Sequence, residues 1–143
     1  MSSTYIESPY LEKLAMEIIE ARFKWPKMPI IKFLFLKTMK SNYNAKCSKA
    51  GGKWKYLTNA DYVIEVWEDS WENMDDYVRE ALLYHELLHI RPVERLNRDT
   101  NVVEIVWRIA SHDVEEFLLT VQEYGIWNQS LNWFKVILDK AEK

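Results

Sequence analysis

Only three histidines occur in this chain, and two of them flank a glutamate in Tyr84-His85-Glu86-Leu87-Leu88-His89. On an α-helix the i, i+4 spacing sets His85 and His89 on one face, one turn apart, so both imidazoles can reach a single metal ion at about 2.0 to 2.1 Å. Glu86 lies about 100° further round the helix, off the line of that pair but placed to touch the water such a metal activates. This H-E-x-x-H pattern is that of zinc hydrolases. The competing reading is a packed, hydrogen-bonded histidine pair in a core. The flanking residues Val78, Ala81, Leu82, Leu83, Leu87, Leu88 and Ile90 describe a helix buried on most sides. Polar groups in such a place need partners, and one metal ion satisfies two imidazoles at once.

A catalytic zinc takes three protein ligands and keeps a position open. The metzincin extension would require glycine at 92 and histidine at 95, where Pro92 and Arg95 stand, so that subclass is excluded. The remaining histidine, His112, lies in Ser111-His112-Asp113-Val114-Glu115-Glu116-Phe117. It is the first candidate for the third ligand. Glu115 and Glu116 are alternatives, as ligand or as partners of the ligands. Asp113 with Glu116 three residues on has the spacing of a capping pair that would start a helix just after His112.

Composition bounds the rest. With 48% apolar and 14% aromatic residues, the 143-residue chain reads as one domain, residues 1–143, with a real core. No run of about 20 apolar residues is present, and Glu7 and Pro9 stand where a signal peptide would be basic and then apolar. A soluble, cytoplasmic protein without membrane contact is expected, in the host cytoplasm if it is viral. Cys47 is the sole cysteine, which excludes a disulfide framework and a zinc ribbon and marks it as a loop or core thiol.

Net charge is −3, unevenly spread. Residues 22–60 carry ten basic residues and no acidic one, while residues 61–143 carry eight basic against eighteen acidic. Trp25, Tyr43, Trp54 and Tyr56 interleave the lysines, as on a single-strand binding surface, and a weak nucleic-acid contact is one expectation. A solvated lysine face with its aromatics turned inward is the other.

The coarse pattern is α+β. Ser8 caps an amphipathic helix over 9–23 with Pro9 at its first position and Leu11, Leu14, Ala15, Ile18 and Ile19 on its apolar stripe. Strands are expected at 30–37, 53–57, 62–68 and 102–109, with a polar loop over 40–52. The metal helix is expected from Asn73 to Ile90, with Arg91 in its last turn and Pro92 ending it. Residues 92–101 read as irregular, and two helices are expected near 113–124 and 129–142. The expectation is a short, mostly antiparallel sheet with an N-terminal helix, the H-E-x-x-H helix and two C-terminal helices.

Three blocks in order carry a family resemblance: Tyr62-Val63-Ile64-Glu65-Val66, then Ala81-Leu82-Leu83-Tyr84-His85-Glu86-Leu87-Leu88-His89, then His112-Asp113-Val114-Glu115-Glu116-Phe117 leading to Tyr124-Gly125-Ile126-Trp127. Over roughly residues 30–127 the sequence resembles the putative phage metallopeptidases, which have a minimal zincin domain. The resemblance implies a zincin-like fold, His85, His89 and His112 as ligands of Zn2+, Glu86 as general base, and a peptide or protein substrate. It assigns no particular substrate and no oligomeric state. The strand at 62–68 is the candidate cleft wall for an extended peptide. Tyr84 and Tyr124 are candidate donors to the tetrahedral oxyanion, with packing as their competing role. The alternative from another class is a nucleic-acid-associated binding module with a structural or vestigial zinc site.

Overall fold

The structure is a computed structural model and describes residues 4–37, 44–110 and Tyr124. Its elements run β1 (Thr4–Glu7), α1 (Pro9–Arg22), β2 (Ile31–Lys37), β3 (Ala45–Lys49), α2 (Gly52–Thr58), β4 (Tyr62–Trp67), α3 (Glu68–Glu72), α4 (Asp76–Leu87), β5 (Ile90–Asn97) and β6 (Val102–Ile109). The architecture is the expected α+β. A four-stranded sheet has the order β1-β2-β4-β3, with β2 and β4 parallel and the outer pairs antiparallel. β5 and β6 form a separate antiparallel hairpin. The two C-terminal helices expected from the sequence fall outside the described residues.

Alternation fixes which face of the sheet is covered. Along β4, Tyr62, Ile64 and Val66 are buried while Val63, Glu65 and Trp67 are half-buried. The inner set packs with Leu11, Ala15 and Ile18 of α1 and with Leu83 and Leu87 of α4 in one core. α1 starts as predicted, with Ser8 Oγ accepting from the Leu11 N–H at 3.1 Å and Pro9 at the first turn. The Ser8 N–H donates to the Phe33 carbonyl, so the cap also anchors the helix to β2. α4 starts later than predicted, because Asp75 is the cap and accepts from the Val78 N–H at 2.9 Å. The residues before it form the short α3, which buries Trp71.

Three segments depart from the sequence expectation. Residues 53–57 are helical, not a strand: Asn59 takes a left-handed conformation as C-cap, its N–H donating to Lys55 O, and Thr58 Oγ1 donates to Trp54 O at 2.6 Å. Local hydrogen bonds hold α2, since none of its residues is buried. The expected polar loop over 40–52 contains β3, whose partner β4 supplies the strand character that Ala45-Lys46-Cys47-Ser48-Lys49 lacks. Residues 92–101 are not irregular either. Arg91 and Pro92 belong to β5, and α4 has already ended at Leu87. Pro92 is tolerated because among the described residues the hairpin has two strands, and the outer side of β5 accommodates a residue without an N–H. Its tip is set by Asn97 Oδ1, which accepts from the Asp99 and Thr100 N–H groups, and by a left-handed Asn101.

Candidate metal centre

α4 carries His85 and Glu86 in its last turn, while His89 sits in the turn just beyond it. Leu88 keeps right-handed helical angles, and the His89 N–H donates to Glu86 O at 3.2 Å, so the turn preserves the one-face relation of the pair. The ligand atoms of His85, Glu86 and His89 all lie within 4.8 Å of one another. Both imidazole Nε2 atoms stand 3.9 Å from the Glu86 carboxylate, one from each oxygen. Among the described residues this is the one cluster able to hold a metal ion.

The β5–β6 hairpin explains how His89 is held outside the helix. The Ala110 N–H donates to His89 O at 2.8 Å, and Ala110 O lies 2.6 Å from His89 Nδ1. A carbonyl cannot donate, so Nδ1 carries the proton and the neutral ring presents its lone pair at Nε2. That is the tautomer and orientation a metal ligand needs, fixed from behind by a backbone carbonyl. The hairpin is itself tied to the main sheet, because Tyr62 Oη donates to Arg108 O at 2.6 Å and the Trp107 ring meets Tyr62 edge-on. The two imidazoles at helical spacing fit a divalent metal of borderline softness such as zinc, with the Glu86 carboxylate standing beside them.

Glu86 is 4% exposed. Burial pushes its carboxyl up to about 7, against the pull of a hydrogen bond from the Cys47 N–H, which favours the charged form. Burial also raises the Cys47 thiol, with the nearby Glu86 carboxylate adding to it, so Cys47 stays a protonated thiol and contributes through its backbone.

The cleft in front of these groups has a volume of about 460 Å³ and is lined by Tyr5, Leu36, Ala45, Lys46, Cys47, Glu65, Trp67 and the three chemical residues. β3 and β4 both wall it, β4 through Glu65 and Trp67, as expected of the 62–68 strand. That strand is interior to the sheet, with β2 on one side and β3 on the other, so both its edges are occupied and it cannot accept a further strand. On β3 the Ala50 N–H donates to Asp61 O, and Asn44 O accepts from Trp67 N, so even-numbered positions pair inward. Ala45, Cys47 and Lys49 therefore turn their backbone groups outward. Nothing in the side chains of this polar segment signals such a role, which rests on main-chain groups.

His112, Glu115 and Glu116 lie outside the described residues. Tyr84 and Tyr124 pack against each other, with Phe23 and the Arg22 guanidinium on Tyr84, and neither lines the cleft with Glu86. No described helix is long and apolar enough to cross a membrane.

Residues 3–136 match the family described as putative phage metallopeptidase. The chain belongs to that family. The match extends the sequence resemblance towards both ends of the chain, and the family description supports a metal-dependent peptidase acting on peptide bonds. No curated protein and no solved structure matches the chain.

Proposed function

We propose that the protein is a zinc-dependent peptidase in which His85, His89 and His112 hold the metal and Glu86 is the general base. The observation that carries this reading is the convergence of His85, Glu86 and His89 within 4.8 Å in one cleft, with the tautomer of His89 set by Ala110. For His112 the support is covalent: two peptide units link it to Ala110, a reach of about 7 Å at most, and Ala110 is bonded to His89.

When bound, zinc supplies a Lewis acid that polarises the scissile carbonyl and brings the pKa of water towards about 7. Glu86 takes the proton of the attacking water and passes it to the leaving amine. The Cys47 N–H steadies that carboxylate between the two events. With the Cys47 N–H taken by Glu86, β3 receives the substrate backbone through the remaining outward groups, chiefly those of Ala45 and Lys49, which aligns the scissile bond with Glu86.

Hydrolysis of an unfolded protein should vanish on treatment with a chelator, return with stoichiometric zinc, and be lost by a factor of about 10² to 10⁴ in Glu86→Gln while zinc content stays intact. Undiminished cleavage by the purified Gln variant sinks the mechanism.

A further inference from the structure

The cleft does not end at the metal centre. Tyr5 and Glu65 line it and also line a second groove, of about 600 Å³, on the outer face of the main sheet. Strand register shows why the two are continuous. Tyr5, Leu36 and Trp67 form one cross-strand row at the cleft, Glu7, Leu34 and Glu65 the next, and Lys32, Val63 and Ser48 the third. Residues in register share a face, so these rows pave a single path. At its far end stands α2, whose Trp54 is 62% exposed and lines the groove. A helix that buries none of its own residues thus serves as the end wall of a groove.

We propose that this groove is an exosite for the substrate polypeptide, taking an apolar or aromatic stretch a few residues from the scissile bond. The proposal rests on the peptidase reading above. Tyr5, Leu34, Val63 and Trp54 supply the apolar surface. The charged groups beside them have both signs, Lys32 and Lys49 against Glu7 and Glu65, which suits a polypeptide and opposes a polyanion. The groove is also reached through the cleft that holds the scissile bond. From Cys47, whose N–H holds the Glu86 carboxylate, to Ala50 at the α2 end of the groove is three residues along β3, about 10 Å at strand rise, so an extended chain crosses it in about three residues. Peptides that stop within about three residues of the scissile bond do not reach Trp54, and longer ones do.

The test uses zinc-loaded full-length protein carrying Glu86→Gln and a fluorescein-labelled, reduced and carboxymethylated α-lactalbumin as the unfolded probe, read by anisotropy. Adding Trp54→Ala should weaken binding about tenfold with zinc content unchanged, and Trp54→Phe should restore most of it. On the Glu86 background, the ratio of kcat/KM for a twelve-residue peptide to that for a four-residue peptide should fall about tenfold in Trp54→Ala. Unchanged probe affinity in Trp54→Ala overturns the exosite. So does tight binding of a single-stranded oligonucleotide that displaces the probe, or a dimer in sedimentation that Trp54→Ala dissolves, since these give the surface to a nucleic acid or to a second copy. Absence of hydrolysis by the zinc-loaded wild type, with Trp54-dependent binding retained, fails the peptidase reading and leaves a polypeptide-binding groove.

Discussion

The turn at the end of α4 and the helix α2 are both short segments, yet they are built in opposite ways. His89 is fixed from a distance: Ala110, twenty-one residues on, bonds both its carbonyl and its ring. α2 is fixed from within, by Thr58, Asn59 and a Lys55–Asp61 pair at 2.7 Å, and it leaves Trp54, Tyr56 and Leu57 in solvent. Buried chemistry needs long-range restraint because its polar groups have no water to fall back on. A surface wall needs only local hydrogen bonds. The two regions should therefore respond to perturbation very differently.

The largest expected effects fall on the buried side. His85→Ala or His89→Ala should abolish stoichiometric zinc, and His112→Ala should weaken it, as checked by metal analysis after gel filtration. Glu115→Gln and Glu116→Gln should leave metal content largely intact. Loss of zinc in Glu116→Gln with retention in His112→Ala would reassign the third ligand to a carboxylate.

Next in size is the cost of burying Glu86. Its carboxyl is raised from 4.5 to about 7 in the folded protein, so the folded state binds this proton more tightly than the unfolded chain does. The stability it contributes to the metal-free protein is full below about pH 4.5 and is lost as pH climbs through 7, by an amount on the order of 3 kcal/mol. Thermal unfolding of metal-free protein should show Tm falling across that window. Glu86→Gln should remove this component. An equal fall in the Gln variant would show that another group is responsible.

Smaller again is the tie between hairpin and sheet. Tyr62→Phe deletes the donor to Arg108 O and should cost about 1 to 2 kcal/mol in chemical denaturation, with the zinc site still assembled. A cost within error would mean that the packing of Trp107 on Tyr62 holds the hairpin without the hydroxyl.

The same contrast explains what the sequence disclosed. α1 and β4 were legible because cap and periodicity are local signals carried by side chains: Ser8, Pro9 and the Leu11 stripe in one, the Tyr62-Ile64-Val66 alternation in the other. His85, Glu86 and His89 were legible because their spacing is itself the chemistry. β3 was not, since Lys46, Ser48 and Lys49 carry no strand signature and the pairing comes from β4. Its role at the cleft rests on outward backbone groups, which no residue type announces. α2 was misread because Lys53-Trp54-Lys55-Tyr56-Leu57 alternates like a strand, whereas the caps at Gly51 and Asn59 close it as a helix. The basic segment 22–60 is likewise divided by the fold: Trp25 packs on Phe23 and Trp107, Lys55 pairs with Asp61, and Trp54 faces the groove.

The smallest effect is expected on α2, and it sharpens the comparison most directly. Tyr56 is 88% exposed and Leu57 69% exposed, so neither side chain gains much from folding. Tyr56→Ser and Leu57→Ser should each change stability by no more than about 0.5 kcal/mol, the ordinary range for exposed positions. Asn59→Ala should cost more than either, because alanine resists the left-handed conformation that Asn59 holds at φ 57. A substitution at the cap that outweighs the loss of two large apolar side chains is the signature of a helix held by its ends. Should Tyr56→Ser or Leu57→Ser instead cost about 2 kcal/mol or more in urea unfolding, α2 would be packed against something in solution, and the division between locally and remotely fixed segments would fail at that point.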